Sequence, residues 1–268
     1  VRLVVDTKTP EQKAGLAEAL MSLAQIAQKN KQLDRANQWL SRMPAGADPI
    51  KLASRQADVL AQQGRMDEAR RVLAQVKPAN AEQARRKVLA QSFWLREHRD
   101  AAAAYPLVRA ALDKKPDDTE LLTELSMVCE KLKRFDEMEA LLRQLMAKAP
   151  QEAQAFNALG YSLADRNIRL EEAQQLIEKA VQLSPKDAYI QDSLGWVEFR
   201  MGNVRRAQDI LQSAYVKRPD AEIAAHLGEV LWAQGQREQA LKIWREGLLL
   251  SSDNETLQGT LKRLRVQP

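Results

Sequence analysis

The side chains best suited to bond-making chemistry in this 268-residue chain are few: one cysteine, Cys129, and two histidines, His98 and His226. A thiol becomes a nucleophile or metal ligand where its surroundings lower its pKa. Cys129 instead falls on the core side of a helical apolar pattern, which reads as a buried, inert thiol. The histidines stand in different segments, so a metal cluster has no paired nitrogen ligands to build on. His98 reads as a turn residue and His226 as a helix residue, with no specific role assigned to either. The paired acids Asp117-Asp118 and Glu171-Glu172 fall at turns and helix starts, where they suit the helix dipole better than acid-base catalysis. GxxxxGK[ST], HExxH, GxSxG and zinc-finger cysteine patterns are absent from the sequence. The expectation is a non-catalytic chain that uses no cofactor and no metal.

What the sequence does contain is a set of bulky side chains repeated at a fixed step, Phe93, Met127, Tyr161 and Trp196, at intervals of 34, 34 and 35 residues. The elements that must position them repeat at the same step. Leu159-Gly160, Leu194-Gly195 and Leu227-Gly228 recur at 35 and 33, Ala173, Ala207 and Ala240 at 34 and 33, and Pro116, Pro150, Pro185 and Pro219 at 34, 35 and 34. Within one unit, Phe156, Leu159 and Leu163, then Leu176, Ala180 and Leu183, make two amphipathic helices. Glycine inside a helix costs about 1 kcal/mol relative to alanine, so a close approach of the partner helix must offset it. The prolines end each unit, since proline cannot continue a helix interior.

A period of about 34 residues with this pattern resembles the tetratricopeptide repeat (TPR) family. The family's small first-helix residue falls on Gly160, Gly195 and Gly228, and its small second-helix residue on Ala207 and Ala240. Ala173 comes one place late, through a one-residue insertion between Asp165 and Leu170. The large second-helix residue falls on Leu211 and Trp244, and the closing proline on Pro185 and Pro219; Ser252 departs from that rule. The resemblance implies an all-α fold, a right-handed α-solenoid or TPR superhelix of about seven helical hairpins and a C-terminal capping helix. The repeats fall at about 17–49, 50–84, 85–118, 119–152, 153–187, 188–220 and 221–254, with the cap at 255–268. In the first four, Ala24, Ala57, Ser92 and Ser126 stand for the glycine, and Ala36, Ala69, Ala104 and Met138 for the second small residue. Residues 1–16 read as the remnant of an upstream element, Val1 to Val5, and a helix start at Thr9-Pro10-Glu11-Gln12. The chain begins at Val1 with no polar cap before it, which predicts further repeats upstream.

Composition agrees with a helical chain, at 45% hydrophobic and 29% charged residues. No apolar run approaches the roughly 18 residues of a membrane span. The net charge of +5 permits anionic partners, but Arg70-Arg71, Arg85-Arg86-Lys87, Lys114-Lys115 and Arg205-Arg206 are scattered among acids, which reads as solvated helix faces and predicts no nucleic-acid partner.

In TPR proteins one face of the first helices lines a groove. The resemblance places Phe93, Met127, Tyr161 and Trp196 there, with Tyr189, Phe199 and Trp232 beside them and Asn157, Asp192 and Glu229 as polar company. Aromatic side chains on a rigid scaffold give protein interfaces their hot spots. A competing reading is that Tyr161 and Trp196, directly after the packing glycines, fill space between repeats. The lysine- and asparagine-rich clamp of chaperone-binding TPR proteins does not fit, because the matching residues are Leu89, Thr123, Asn157 and Asp192. An extended, partly apolar peptide or a folded protein suits this groove better.

A narrower resemblance covers residues 157–166, 191–203 and 224–236, NALGYSLADR, QDSLGWVEFRMGN and AAHLGEVLWAQGQ. They are similar to the C-terminal repeats of bacterial exported TPR lipoproteins, including LbcA-type adaptors of periplasmic carboxyl-terminal processing proteases. The resemblance implies a periplasmic, outer-membrane-tethered scaffold that presents substrates to a PDZ-serine protease. Two other readings share the fold: an assembly factor for envelope polysaccharide, pilus or secretion machinery, and the TPR arm of a larger regulatory or enzymatic protein.

Overall fold

The computed structural model describes residues 9–268, so the tail expected at Val1 to Val5 lies outside the described residues. Among the described residues the regular structure is fifteen helices and no strand, joined as successive hairpins. Two compact units are present, Val1–Met138 and Glu139–Pro268. The first holds the hairpins α1 (Pro10–Lys29) with α2 (Leu33–Leu40), α3 (Pro49–Gln62) with α4 (Met66–Gln75) and α5 (Ala81–Glu97) with α6 (Ala101–Lys114), then α7 (Thr119–Lys131). The division falls inside α8 (Phe135–Lys148). The second holds α9 (Ala153–Asp165) with α10 (Leu170–Leu183), α11 (Ala188–Arg200) with α12 (Val204–Lys217), α13 (Ala221–Ala233) with α14 (Arg237–Leu250), and last α15 (Glu255–Leu264). Among the described residues no helix is long and apolar enough to cross a membrane.

The helix starts follow from local chemistry. Thr9 and Gln12 form the expected capping box, each side chain accepting from the other residue's backbone N–H, at 3.3 and 3.2 Å, with Pro10 in the first turn. α1 then runs unbroken through Ala17. Asp118 caps α7, and Glu171 and Glu172 occupy the first turn of α10, so these acid pairs serve helix termini. Pro116, Pro150, Pro185 and Pro219 each stand two residues past the end of a second helix, α6, α8, α10 and α12.

Small residues form the seam of every hairpin. Ala24, Ala57, Ser92, Ser126, Gly160, Gly195 and Gly228 on the first helices are buried, as are Ala36, Ala69, Ala104, Met138, Ala173, Ala207 and Ala240 on the second. The glycines face the large second-helix residues rather than the alanine methyls. A Cβ at Gly160 would lie 2.6 Å from Ile177, at Gly195 2.5 Å from Leu211, and at Gly228 2.2 Å from the Trp244 indole. Contacts under 3 Å force something to move, and Trp244 is fully enclosed.

A second lattice lies in the hairpin turns. Lys31, Gly64, Arg99, Lys133, Asn167, Gly202 and Gly235 all take positive φ just after the first helix. Just before the next helix the chain closes a six-residue Schellman turn, with Gln32 N–H to Ala27 O, Arg134 N–H to Cys129 O and Gln236 N–H to Leu231 O among the bonds. The one-residue insertion expected between Asp165 and Leu170 makes this turn four residues long where the other hairpin turns have three, and Arg169 absorbs it with a second left-handed φ of 47°. His98 lies in one of these turns, capping α5. Cys129 is fully buried, and burial followed by the nearby Glu137 carboxylate pushes its thiol up to about 12, which makes it the inert group expected.

Gly228→Ala is expected to lower stability by about 3 kcal/mol, because the methyl overpacks against an enclosed indole. Gly259→Ala in α15, where a Cβ meets nothing within 4 Å, is expected to be neutral or to gain up to about 1 kcal/mol. Urea denaturation of the two variants side by side checks both.

Candidate functional site

Within each unit the first helices pack on one another: α1 on α3, α3 on α5 and α5 on α7, and separately α9 on α11, α11 on α13 and α13 on α15. The second helices of neighbouring hairpins, such as α10 and α12 or α12 and α14, make no such layer among the described residues. The groove expected on the first helices is therefore a continuous row of side chains in each unit.

In the first unit, Phe93 stands 54% exposed on α5, with the Arg96 guanidinium 5.5 Å from its ring centroid. Met127 on α7 is half-buried. Beneath them Ser92 donates to the buried Glu124 at 2.7 Å, and Arg96 reaches the same carboxylate. A cavity of about 410 Å³ opens on this row, lined by Met21 of α1, Ile50, Lys51, Arg55 and Asp58 of α3, and Arg86 and Leu89 of α5. Burial raises the Asp58 carboxyl above its usual range against the opposing pull of Arg55.

The second unit departs from the expected open groove at several residues. Trp196 is only 3% exposed and stacks on His226 at 4.3 Å, with Phe199 tilted against it at 5.5 Å. Expected as a groove ring, Trp196 is instead core, because the imidazole one helix away covers its face. Asp192 and Glu229, expected as polar company in the groove, are buried and engaged. Both Asp192 oxygens face His226 Nδ1, at 2.8 and 3.0 Å, and Glu229 accepts from Arg263 of α15 at 2.5 Å. Tyr161 is half-buried, its hydroxyl 3.3 Å from His226 Nε2 and 3.2 Å from Glu222, to which Thr256 of α15 also donates. Tyr189 remains 37% exposed on the row, its hydroxyl donating to Asp220 and the Arg218 guanidinium 4.8 Å above its ring. Trp232 is half-buried under Arg237, and Asn157 is half-buried with its side-chain oxygen unpartnered.

The chain of contacts Asp192, His226, Tyr161, Glu222 was not foreseen, although a signal existed: Asp192 and His226 stand one repeat apart, 34 residues. Its electrostatics are consistent. Burial pulls the His226 pKa down, but the Asp192 carboxylate, by charge and hydrogen bond, and Glu222 carry it above 6.5 overall. When protonated, the imidazole donates to Asp192 on one side and to Tyr161 on the other, and Tyr161 donates on to Glu222. The phenol is held well above 10, by burial first and then by Glu222, Asp165 and Asp192. A carboxylate, an imidazole and a hydroxyl in line have the outline of an acyl-transfer triad, but this hydroxyl is kept protonated and commits its proton to Glu222, so the cluster holds charge in place and activates no nucleophile. A second cavity, of about 360 Å³, opens beside it between α9, α11, α13 and α15.

Two outcomes are expected. Trp196→Ala costs about 3 to 5 kcal/mol in a denaturation curve, as enclosed aromatic side chains do. His226 stabilises fully below pH 6.5, and that contribution is lost as pH rises through its higher folded-state value; Glu222, raised by burial, adds a decline of the same sign beginning near pH 4.5. Urea midpoints measured from pH 6.5 to 9 therefore fall for the native sequence and stay flat for His226→Gln.

Comparison with known proteins agrees with this architecture. Residues 95–160 and residues 193–249 match profiles of the tetratricopeptide repeat family. The chain is 38% identical over 246 residues to the TPR repeat-containing protein PA4667 of Pseudomonas aeruginosa, an overlap of 92% of this chain and 42% of that protein. It is 36% identical over 96 residues to human tetratricopeptide repeat protein 7A, covering 35% of this chain and 11% of that one. The chain thus spans less than half the length of these curated relatives. Among solved structures, a tetratricopeptide repeat protein from Parabacteroides merdae superposes with a TM-score of 0.68 at 15% identity, over 94% of this chain and all of that one. A thermophilic TPR protein from Thermus thermophilus gives 0.60 at 22% identity, over 68% of this chain and 99% of that one, a likeness of fold alone. The chain is a run of tetratricopeptide repeats folded as an all-α solenoid, and such repeats form a scaffold for protein–protein interaction.

Proposed function

We propose that this scaffold is non-catalytic, that it binds a protein or an extended peptide along its first-helix rows, and that it acts as an adaptor presenting substrates to a periplasmic carboxyl-terminal processing protease of the PDZ-serine type. The observation that carries the binding reading is Phe93. An aromatic ring 54% exposed on a buried, salt-bridged base is a poor stabiliser of the fold and a good anchor for a partner. The adjacent cavity, with apolar Met21, Ile50 and Leu89 and the cations Lys51, Arg55 and Arg86, suits side chains of an extended segment.

The adaptor part is supported by the motifs at 157–166, 191–203 and 224–236 and by the similarity of 92% of the chain to a bacterial TPR protein. On this reading the full-length protein lies in the periplasm, tethered to the outer membrane.

Affinity capture from a bacterial envelope extract tests it. The chain is expected to recover a PDZ-serine protease, and Phe93→Ala to weaken that interaction by about 2 kcal/mol, roughly 30-fold, with an unchanged melting temperature. Recovery of cytosolic chaperones alone would end the adaptor reading. Undiminished capture by Phe93→Ala would remove the ring from the binding site.

A further inference from the structure

Ile26 on α1 stands open at a place that the later first helices all bury. It lies two residues past the seam residue Ala24, and the same count on the other first helices gives Val59, Trp94, Val128, Ser162, Val197 and Val230. Those six are between 0 and 4% exposed, whereas Ile26 is 56% exposed. Five residues before the seam, Ala19 is exposed where Leu121, Ala155, Ile190 and Ile223 are buried. One residue before it, Leu23 is half-buried where Leu125, Leu159 and Leu227 are fully buried. Ala19, Leu23 and Ile26 follow the i, i+4, i+7 spacing of one helix face. A lone exposed isoleucine is ordinary, but an apolar stripe whose Ile26 place is covered in every later repeat is a contact surface lacking its other half.

The later repeats show what the other half is. Val59 packs with Ala36 and Leu40 of α2, Trp94 with Ala69 and Leu73 of α4, Val128 with Ala104 of α6, and Val230 with Ala207 and Leu211 of α12. Each cover is the second helix of the preceding hairpin, carrying an alanine with a larger apolar residue four places later. Each is also tethered to the helix it covers by a connection of eight residues or fewer. Such a tether lets a narrow stripe suffice, where a free helix would have to order itself and associate for the sake of three side chains. A second copy of the chain has no such helix to offer, because among the described residues this pair of positions is buried on all seven second helices. The last of them, α14, is closed by α15, which sets Leu257 against Gly247 and turns Gln258, Lys262 and Arg265 to solvent.

We propose that the outer face of α1, at Ala19, Leu23 and Ile26, docks the second helix of a further helical hairpin lying N-terminal to α1 in the same polypeptide. That helix carries alanine or another small residue with a large apolar residue four places later. The contact is independent of what the rows of first helices bind, so its failure leaves the scaffold reading untouched.

Thiol labelling tests it. Ile26→Cys is made in the 268-residue chain and in the complete gene product, and the rate of maleimide addition at residue 26 is followed by mass spectrometry of the peptide that carries it. Cys129 is fully buried and does not compete. Val216→Cys, at a position 71% exposed on α12, is the control. Residue 26 is expected to react at a rate like that of residue 216 in the 268-residue chain, and at least about tenfold more slowly in the complete gene product, with residue 216 unchanged. Replacing the large apolar residue of the docking helix by aspartate is expected to restore the fast rate. Equal labelling of residue 26 in both proteins, or a gene product with no hairpin before α1, overturns the proposal. So does protection that survives the aspartate change. Protection of the 268-residue chain that grows with its own concentration overturns it in favour of a second copy, and protection that appears only on adding envelope extract overturns it in favour of a separate partner.

Discussion

Everything in this molecule depends on how closely two helices of a hairpin can approach. The seam is set by a small residue on the first helix opposite a large one on the second, most tightly at Gly228 against Trp244. Because the glycine yields its Cβ, the indole lies flat in the hairpin and still donates to the Ala225 carbonyl at 3.3 Å. The helical cost of a glycine is about 1 kcal/mol, and burying an aromatic side chain returns more. Once each hairpin is fixed at that spacing, its first helix has one face left to pack on the next first helix and one left for solvent or a partner.

That arithmetic made the architecture legible from residues alone. The step of about 34 located the seams at Ala24, Ala57, Ser92, Ser126, Gly160, Gly195 and Gly228, and all are buried. The odd length between Asp165 and Leu170 was visible too, and the backbone takes it up at Arg169. Helix and turn positions are local properties of the chain, which is why spacing and capping chemistry reveal them.

The exposure of the row was much less legible. Trp196 and Phe93 hold equivalent places in their repeats, yet one is sealed and the other stands free. The difference comes from a neighbouring helix: His226 is there to stack on Trp196, and it is held by Asp192. A lone histidine on a helix carries no mark of its partners in the sequence, since Asp192 and Tyr161 meet it only once three hairpins are stacked. The charged linings of the two cavities, Lys51, Arg55, Asp58 and Arg86 in one and Asp165, His226, Glu255 and Arg263 in the other, were likewise hidden in a net charge of +5.

The contact of Tyr161 with Glu222 and His226 joins side chains 61 and 65 residues apart, so it skips the intervening hairpin. Repeat arrays are commonly treated as beads, each feeling only the bead on either side, and folding models with nearest-neighbour terms follow from that. Here the last three hairpins are tied by a chain of polar contacts that none of them can complete alone. This stretch is thereby coupled beyond nearest neighbours: removing the hairpin that carries α11 would take the Asp192 carboxylate away from the His226 imidazole.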